Sequence, residues 1–329
     1  MNKALVTGSS GHLGEAMMRI LRARGIACVG LDRKPGAYTD RVGSIGKRSL
    51  VDTCLSGVDV VFHTATLHKP HVATHSKRDF VDTNISGTLT LLEAARDHRI
   101  DAFIYTSTTS VYGDALRPGP EMPAAWITED VRPIARNIYG VTKAAAEDMC
   151  ELFARKHKLP CLVLKTSRFF PEADDNRERR EGFADANLKV NELLYRRVDL
   201  EDVVEAHLLA AQKAKELPFG RYIISATSPL HRQDVQRARS DLPALVRETF
   251  PHYENIYAKL GWRMLPGIDR IYVNAAARRD LGWEPRWTFA HALEHLAVGE
   301  SAFSELSRVV GKKGYHETVF AEGPYPVEE

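Results

Sequence analysis

The stretch ALVTGSSGHLG at residues 4–14 decides the fold of this chain. A short apolar strand pattern runs into three glycines, and an amphipathic helical pattern follows them directly. Gly8 permits a tight turn, Gly11 lets a pyrophosphate approach the backbone, and Gly14 allows the helix to pack closely on the strand. The first turn of that helix offers free N–H groups and the positive end of its dipole to phosphate. In this context the stretch predicts a dinucleotide-binding site.

The end of the next strand pattern bears on which dinucleotide binds. Asp32 lies 18 residues after Gly14, where a carboxylate can accept hydrogen bonds from an adenine ribose and would repel a 2′-phosphate. Arg33 beside it could instead serve a 2′-phosphate. The sequence therefore favours NAD over NADP. The residues expected to contact the cofactor at this end are Gly8, Ser10, Gly11, His12, Leu13, Gly14, Asp32 and Arg33.

Strand and helix patterns alternate through the first 165 residues. Apolar runs rich in β-branched and aromatic residues predict buried strands at 4–6, 27–31, 58–62, 102–105 and 161–164. Helices are predicted from residue 13 to a stop at Gly25, at about 79–98 and at about 139–156. Repeated strand–helix–strand units predict an α/β fold with a doubly wound parallel sheet of the Rossmann type.

After residue 164 the pattern becomes less regular. The stretch 172–181 is almost wholly polar and is predicted to be a loop or an exposed edge of a site. Further helices are expected at about 200–215, 242–250 and 288–310, with strands at 221–225 and 271–273. We therefore expect a dinucleotide-binding domain over 1–170, to which 199–226 returns. A smaller C-terminal α/β substrate lobe would comprise 171–198 and 227–329.

Composition excludes several classes of protein. The 329 residues are 44% apolar and 27% charged, which is typical of globular chains and not of disordered or fibrous ones. A net charge of +2 gives no basic field, so nucleic acid is not an expected partner. No apolar run approaches the length of a membrane span, so a membrane is not expected either. The irregularly spaced cysteines, Cys28, Cys54, Cys150 and Cys161, are expected to be free thiols in a reducing cytoplasm.

Reactive side chains are expected at the start of the third long helix. A spacing of four places Tyr139 and Lys143 on one helical face. A neighbouring ammonium favours the phenolate, and a cationic nicotinamide would act in the same direction. We therefore expect a lowered pKa that lets Tyr139 act as base or acid near neutral pH. The strand before it ends in a run of hydroxyls at 105–113, where one can hydrogen-bond a substrate oxygen. In isolation, a surface tyrosine with a solvated lysine and an ordinary Ser/Thr loop are the commoner explanations of these two motifs. The glycine loop upstream, at the right distance, favours the functional interpretation of Tyr139 and Lys143.

Together these motifs resemble the extended short-chain dehydrogenase/reductase family, in the branch of NAD-dependent sugar epimerases and dehydratases. The matching pieces recur in order over nearly the whole chain: TGSSGHLG (7–14), LDR (31–33), VVFHTAT (60–66), NISGTLTLLEAA (84–95), YTSTTSVYG (105–113), YGVTK (139–143), RRVDLEDVVEAH (196–207) and LGWEPRWTF (281–289). The resemblance implies that Tyr139 is the catalytic acid/base, that Lys143 binds the nicotinamide ribose and lowers the tyrosine pKa, and that Thr108 is the assisting hydroxyl.

The resemblance implies further roles and an assembly. Ala65 and Thr106 would line the cofactor, and Asn84 would lie on the helix behind the site. Asp199 and Asp202 would be structural. Many relatives pair two helices per subunit in a four-helix interface, which implies a homodimer through 79–98 and 139–156.

The chain also departs from the family pattern, and the departures bear on the reaction. Family dehydratases carry Asp-Glu directly after the active threonine, whereas this chain has Thr109 and Ser110. Neither side chain can supply the acid and base that an elimination needs. The sequence therefore favours an epimerase or a plain dehydrogenase, and does not choose between them.

A second departure bears on the substrate. Arg168 stands where epimerases place an asparagine, and only about 24 residues separate Pro171 from Arg196. Nucleotide-sugar enzymes have a longer segment there, so a small sugar or sugar derivative is favoured over a UDP-sugar. Arg168 could hold an anionic group bidentately or form an ion pair with the acidic stretch 172–175. A UDP-sugar 4-epimerase and a non-catalytic, NAD-sensing relative remain the alternatives. The expected substrate contacts are His68, Thr108, Thr109 and Arg168.

A run of histidines and a set of tryptophans could each be taken for a binding site. Four histidines fall within 13 residues: His63, His68, His71 and His75. Proline interrupts the run and no cysteine or carboxylate pattern accompanies it, so no metal is expected. Three tryptophans, Trp262, Trp283 and Trp287, are expected to pack in the core.

Overall fold

The computed structural model describes residues 1–314, 316 and 320, so the last part of the predicted lobe lies outside the described residues. Seven strands form one sheet in the order β3-β2-β1-β4-β5-β7-β8, and every neighbouring pair is parallel. The strands are β1 Lys3–Thr7, β2 Ala27–Asp32, β3 Arg41–Val42, β4 Val60–His63, β5 Ala102–Thr108, β7 Cys161–Thr166 and β8 Phe219–Ile224. The predicted doubly wound parallel sheet is confirmed.

A second, two-stranded parallel sheet pairs β6 Ala125–Ile127 with β9 Arg270–Tyr272. The helices before residue 170 are α1 His12–Ala23, α2 Arg48–Leu55, α3 Lys77–Phe80, α4 Gly87–Asp97 and α5 Ile138–His157. Those after it are α6 Arg177–Gly182, α7 Asp185–Glu192, α8 Leu200–Lys213, α9 Val235–Ser240, α10 Leu242–Thr249, α11 Tyr253–Leu260, α12 Ala275–Leu281, α13 Phe289–Ala297 and α14 Glu305–Val310. Within the described chain, no helix has both the length and the hydropathy needed to cross a bilayer.

Alternation along the strands divides the apolar side chains between two faces of the large sheet. On β1, Ala4 and Val6 join a core with α1 and α8, whereas Leu5 joins a core with α2, α4 and α5. Residues between 188 and 303 supply most of a third core, which includes Tyr257 and Phe289. The tryptophans pack as predicted, with Trp283 in the first core and Trp262 against the third.

Three predicted elements were wrong in detail. The helix expected at 79–98 starts earlier and contains a π-helical segment, Val81–Ser86, between α3 and α4. The helix expected at 288–310 is two helices, since Gly299 at φ 80° ends α13 in a left-handed conformation. The polar stretch 172–181 is neither wholly loop nor wholly exposed. It enters α6, and Glu172 and Asp174 are each only 5% exposed, because Glu172 hydrogen-bonds His12 and Asp174 pairs with Arg168.

Two further predictions are confirmed. All four cysteines are free thiols, and Cys28 is the one that is not fully buried. Asp199 and Asp202 are structural. Asp199 caps the start of α8 and accepts a hydrogen bond from Ser304 at 2.5 Å, while Asp202 accepts the backbone N–H groups of Arg286 and Trp287.

Buried histidines should make stability fall in mild acid. His207 donates to the Val203 carbonyl oxygen and bonds the Thr106 hydroxyl, and burial lowers its pKa to about 4. Burial also holds the pKa of His63 well below its usual range. Between its folded and unfolded pKa values, each histidine is neutral in the folded protein and takes up a proton only on unfolding. Its contribution to the free energy of unfolding is therefore fully present above pH ~6.5, and it is lost as the pH falls toward the pKa of the folded state.

The expected slope is up to about 1.4 kcal/mol of unfolding free energy per pH unit for each histidine. Urea unfolding at several pH values between neutrality and moderate acid measures it. His207→Gln should flatten the slope relative to the wild type. Equal slopes in the two proteins would show that His207 is protonated in the folded state.

Candidate active site

The glycine loop forms a cradle that side chains would fill. Gly8 has φ 74°, and a Cβ there would lie 2.7 Å from the Ala65 backbone nitrogen. A Cβ on Gly14 would lie 1.9 Å from the Gly8 carbonyl oxygen. Among the described residues, no side chain caps the N-terminus of α1, so its first N–H groups can bind a phosphate. These features fit the pyrophosphate of a dinucleotide.

The carboxylate of Asp32 is fixed beside this loop at the end of β2. One oxygen accepts the Ser10 N–H at 3.0 Å and the other accepts the Lys34 N–H at 2.8 Å. Arg33 follows on the exposed rim. A carboxylate held at this place fits the ribose of an adenosine, so the loop and the end of β2 together suit NAD.

One cleft of about 1790 Å³ runs from the glycine loop across the carboxyl ends of the strands to the C-terminal lobe. All of the predicted site residues line it: Gly8, Ser10, Gly11, His12, Leu13, Gly14, Asp32, Arg33, Ala65, His68, Thr106, Thr108, Thr109, Tyr139, Lys143 and Arg168. In an open α/β sheet this is where ligands bind. The structure therefore brings together residues that lie as far apart as 8 and 168 in the sequence.

The side chains of Thr108 and Tyr139 meet where β5 ends and α5 begins. Asn137 fixes the start of α5, since its side-chain oxygen accepts the Gly140 N–H at 3.1 Å. Burial raises the pKa of Tyr139 to about 12, and a hydrogen bond with Thr108 opposes the rise. The expectation of a lowered tyrosine pKa is therefore wrong for the chain by itself, because losing water destabilises the phenolate more than Thr108 stabilises it.

Lys143 lies deeper in the same face of α5. Its Nζ donates to the Thr106 carbonyl oxygen at 2.6 Å and lies 4.1 Å from the centre of the Tyr105 ring. Burial lowers the pKa of Lys143 to about 7, and the negative charge of Glu147 opposes that fall. The ammonium is thus held in place by the backbone of β5 and by an aromatic ring.

Sequence reasoning missed the group that lies behind Lys143. Glu147 is one further turn along α5, and its carboxylate accepts Lys165 Nζ at 2.6 Å and Ser107 Oγ at 2.5 Å. Its position four residues after Lys143 and eight after Tyr139 was the available signal, because that spacing keeps all three on one helical face. These buried contacts tie α5 to β5 and β7 one helical turn beyond Lys143.

Histidine side chains line the cleft next to Tyr139. The rings of His68 and Tyr139 have centres 6.2 Å apart, and burial lowers the pKa of His68 to about 3, which makes it neutral. His71 accepts the backbone N–H of His68 at 2.9 Å. Within the described residues, no group of three or more His, Cys, Asp or Glu is arranged to hold a metal ion.

Three other predicted residues have defined partners. The Thr106 hydroxyl hydrogen-bonds His207 at 2.8 Å, so its side chain is already occupied and its backbone is the part that can contact a ligand in the cleft. Thr109 is buried directly after β5. Arg168 forms the predicted ion pair with the acidic stretch, with Nη1 2.5 Å from Asp174 and Nη2 3.6 Å from Asp175. Its direct contact with substrate stays a prediction.

Comparison with known proteins agrees with this geometry. The model of the NAD dependent epimerase/dehydratase family matches residues 4–225. A Stigmatella aurantiaca protein, "4-hydroxy-2-methyl-3-oxo-4-farnesyl-3,4-dihydroquinoline-1-oxide ketoreductase", is 30% identical over 89% of this chain and 95% of its own length. The Arabidopsis thaliana "Probable UDP-arabinose 4-epimerase 3" is 26% identical over 86% of this chain and 77% of its own.

A solved structure shares the fold. It is a short-chain dehydrogenase/reductase superfamily protein from Agrobacterium tumefaciens with bound NAD, and it aligns with a TM-score of 0.66 and 23% identity over 90% of this chain and 96% of that one. The family model covers two thirds of the sequence, including every motif up to β8. The chain therefore belongs to the NAD-dependent epimerase/dehydratase family.

Proposed function

We propose that this enzyme transfers a hydride at a secondary alcohol or ketone of a small, sugar-like substrate, with Tyr139 as the acid/base. The observation that carries the proposal is the meeting of Tyr139, Thr108 and Lys143 in one cleft with the glycine cradle. A purely structural arrangement gives no reason to combine a phosphate cradle, a buried phenol and a buried ammonium at one sheet edge.

Each residue has a role in this proposal. NAD, when bound, supplies the hydride acceptor and a positively charged ring. The glycine loop and the start of α1 hold its pyrophosphate, and Asp32 holds the adenine ribose. Lys143 binds the nicotinamide ribose. Tyr139 takes the proton from the substrate hydroxyl as its carbon gives up hydride, and Thr108 hydrogen-bonds the same oxygen. His68, neutral and 6.2 Å from the tyrosine ring, lines the substrate side.

The reaction either stops after oxidation or returns the hydride to the opposite face. A dehydrogenase releases NADH, whereas an epimerase keeps its cofactor and shows no net reduction. We would screen sugars, sugar acids, polyols and UDP-sugars with NAD and with NADP, following both cofactor reduction and epimer formation. Net NADH supports a dehydrogenase, and an epimer without net NADH supports an epimerase. Neither product with any member of the panel would favour the non-catalytic alternative.

A UDP-sugar 4-epimerase is the second candidate, and the name of the Arabidopsis relative favours it. The position of Arg168 weighs against it, because a buried ion pair lies where epimerases place an asparagine beside the sugar. The same screen separates the two, since only the second candidate requires the nucleotide.

Asp32 should set the choice of cofactor. Replacing it with Ser removes a charged acceptor worth about 1.5–3 kcal/mol per hydrogen bond, so the Kd for NAD should rise about tenfold or more. It should also ease binding of NADP, because the charge that repels a 2′-phosphate is gone. Calorimetric titration with both cofactors measures this.

Arg33→Ala is the companion variant, because Arg33 neighbours Asp32 but lies on the exposed rim. It should leave the Kd for NAD nearly unchanged. A wild type that binds NADP more tightly than NAD, or an Arg33→Ala protein that loses cofactor binding, would reverse the assigned preference.

We also propose the predicted domain division, with a sheet domain over 1–170 and 199–226 and a substrate lobe from the rest. It is supported by two cores on the faces of the large sheet and a third drawn mainly from 188–303.

Four free thiols support the cytoplasm as the location. The near-balanced charge of +2 supports a small molecule as the ligand, with neither nucleic acid nor membrane as a partner.

A homodimer through α4 and α5 is a further part of the proposal. Large apolar side chains on these helices lie exposed in the single chain, with Leu89 37% and Leu152 41% accessible. Leu152→Glu should convert a dimer to a monomer, because a charge would be buried in the interface. Val298→Glu, at a 72% exposed site after α13, is the matched control. Light scattering after gel filtration measures the mass, and a wild-type monomer would contradict the assignment.

A further inference from the structure

The end of the cleft away from the glycine loop is strongly positive. Among the described residues, eight arginines line the cleft beyond the β2 end against three carboxylates, which are Asp174, Asp175 and Asp269. The overall charge of the chain is only +2, so this excess is local. A cleft lined with one sign of charge concentrates ligands of the other sign.

Two of the three carboxylates are already neutralised within the protein. Asp174 lies 2.5 Å from Arg168 and 2.9 Å from Arg196. Asp175 pairs with Lys69 at 2.5 Å. These acids therefore do not compensate the other arginines. Three of those have carboxylates of their own, since Arg136 pairs with Asp114, Arg177 with Glu181 and Arg270 with Asp269. Among the described residues, the excess positive charge therefore rests on Arg117, Arg179 and Arg239.

Three of the remaining arginines, Arg179, Arg239 and Arg270, come from the C-terminal lobe. In the described part of the chain, Arg239 and Arg179 have no carboxylate within ion-pair distance, and Arg179 donates to the hydroxyl of Tyr195 at 3.1 Å. Arg270 has Asp269 at 3.5 Å from its Nε, yet that buried Nε makes no hydrogen bond among the described residues. The buried Nε of Arg168 likewise has no hydrogen-bond partner there.

These unpaired groups are donors on cationic side chains. The Nε atoms of Arg168 and Arg270 are buried, and buried polar groups in native proteins have a partner, which is protein, water or ligand. Arg179 and Arg239 are only half-buried, so they contribute unpaired charge to the argument. An acceptor that also carries negative charge satisfies both the open N–H groups and the uncompensated charge, and guanidinium suits the oxygens of carboxylate and phosphate. A neutral polyol would satisfy the hydrogen bonds only.

The positions of these arginines fit one binding surface. Arg239 lies in the last turn of α9, and the carbonyl oxygen of the residue before it, Ala238, accepts the N–H of Ile268, two residues before Arg270. Arg270 in turn reaches the Leu116 carbonyl oxygen at 3.4 Å. Arg179 joins the same region through Tyr195, whose carbonyl accepts the Tyr272 N–H. These arginines belong to the lobe, and they line the same cleft as Tyr139 and Thr108.

We propose that the substrate carries an anionic group on its own small skeleton, a carboxylate or a phosphate, which Arg239, Arg270 and Arg179 bind. This rests on the proposed function, because the anion would position the hydroxyl-bearing carbon for Tyr139. The arginines are specificity-determining residues: they bind a part of the substrate that does not react. Their loss should therefore raise KM more than it lowers kcat.

The test uses the full chain loaded with NAD and four probes that share one hexose. Calorimetric titration gives Kd for galactose, galacturonate, galactose 1-phosphate and UDP-galactose. At least one of the two small anions should bind about tenfold or more tightly than galactose, since each hydrogen bond to a charged group contributes that much. Arg239→Gln and Arg270→Gln should each remove most of this advantage and leave the Kd for galactose unchanged.

Arg237→Gln is the control for this series. It lies on α9 two residues before Arg239, but it is exposed and pairs with Glu248 at 2.5 Å. Binding of the anionic probes should be unchanged in this variant. Melting curves of all variants establish that they are folded. If Arg270→Gln does not fold, Arg239→Gln alone still tests the inference.

Three results would overturn the inference: galactose binding as tightly as both small anions, no effect of Arg239→Gln on their binding, or binding confined to UDP-galactose. Hydride transfer is followed separately in the same samples. Anion-dependent binding with neither NADH nor an epimer would contradict the proposed function and leave the anion surface intact. Turnover of galactose at the same KM as the anions would support the proposed hydride transfer and contradict the anion surface.

Discussion

Tyr139→Phe should lower kcat by about a hundredfold to ten-thousandfold, which is the range that a positioned acid/base contributes. The substitution removes one oxygen and keeps the ring that packs in the cleft with His68 and Leu67. NAD binding should persist because the glycine loop and Asp32 are unchanged. Steady-state kinetics on whichever substrate the screen finds gives kcat, and titration gives the Kd for NAD.

Tyr112→Phe is the matched control for this experiment. Its hydroxyl is also buried, but it makes no hydrogen bond among the described residues and does not line the cleft. We expect nearly unchanged kcat in that variant. Full turnover by Tyr139→Phe would remove the phenol from the mechanism and leave the fold assignment unaffected.

Gly14→Ala should abolish tight NAD binding and destabilise the protein. The added Cβ would lie 1.9 Å from the Gly8 carbonyl oxygen and 2.5 Å from the Gly8 carbonyl carbon. Both are backbone atoms, so the loop itself must move away from the start of α1. Overpacking of this kind costs about 1–3 kcal/mol or more, and the phosphate cradle is lost with the movement.

The control for Gly14→Ala is Gly46→Ala. A Cβ at Gly46 would meet only Ser44 Oγ at 3.5 Å, an ordinary contact, and the residue has no left-handed backbone. Chemical denaturation and NAD titration compare the two variants with the wild type. Unchanged NAD affinity in Gly14→Ala would mean that the loop does not hold the pyrophosphate.

The sheet and the cofactor end were predictable because their signals are local. Continuous apolar runs mark strands that are covered on both faces, and β1, β2, β4, β5 and β7 all lie where such runs predicted them. The glycine loop combines tight turn, close backbone approach and helix packing within eight residues. Those demands leave few other residues at the three glycine positions.

The features that the sequence did not predict depend on contacts between distant parts of the chain or on the conformation of a single residue. The polar stretch at 172–181 suggests an exposed loop, but Glu172 is buried because it bonds His12 from the glycine loop at 2.8 Å. No pattern within the stretch reveals that partner. The break before α14 depends on the left-handed conformation of Gly299, which the spacing of apolar residues does not reveal.

The pKa of Tyr139, which we propose as the acid/base, was likewise not predictable from a local pattern. Spacing correctly places Tyr139 and Lys143 together, but it does not give the balance between burial and charge. In the folded chain burial dominates and raises the tyrosine pKa to about 12. The Lys143 ammonium meanwhile donates to the Thr106 carbonyl. When bound, NAD would supply a positively charged nicotinamide, which would lower that pKa toward the working range.

The most direct test of the central claim follows the hydrogen itself. A substrate deuterated at the reacting carbon is mixed with the NAD-loaded enzyme, and the cofactor is recovered by rapid quench. We predict deuterium on the reduced nicotinamide of the wild type and almost none in Tyr139→Phe over the same time. Product formed with the deuterium released to solvent, and none on the cofactor, would contradict hydride transfer to NAD at this site.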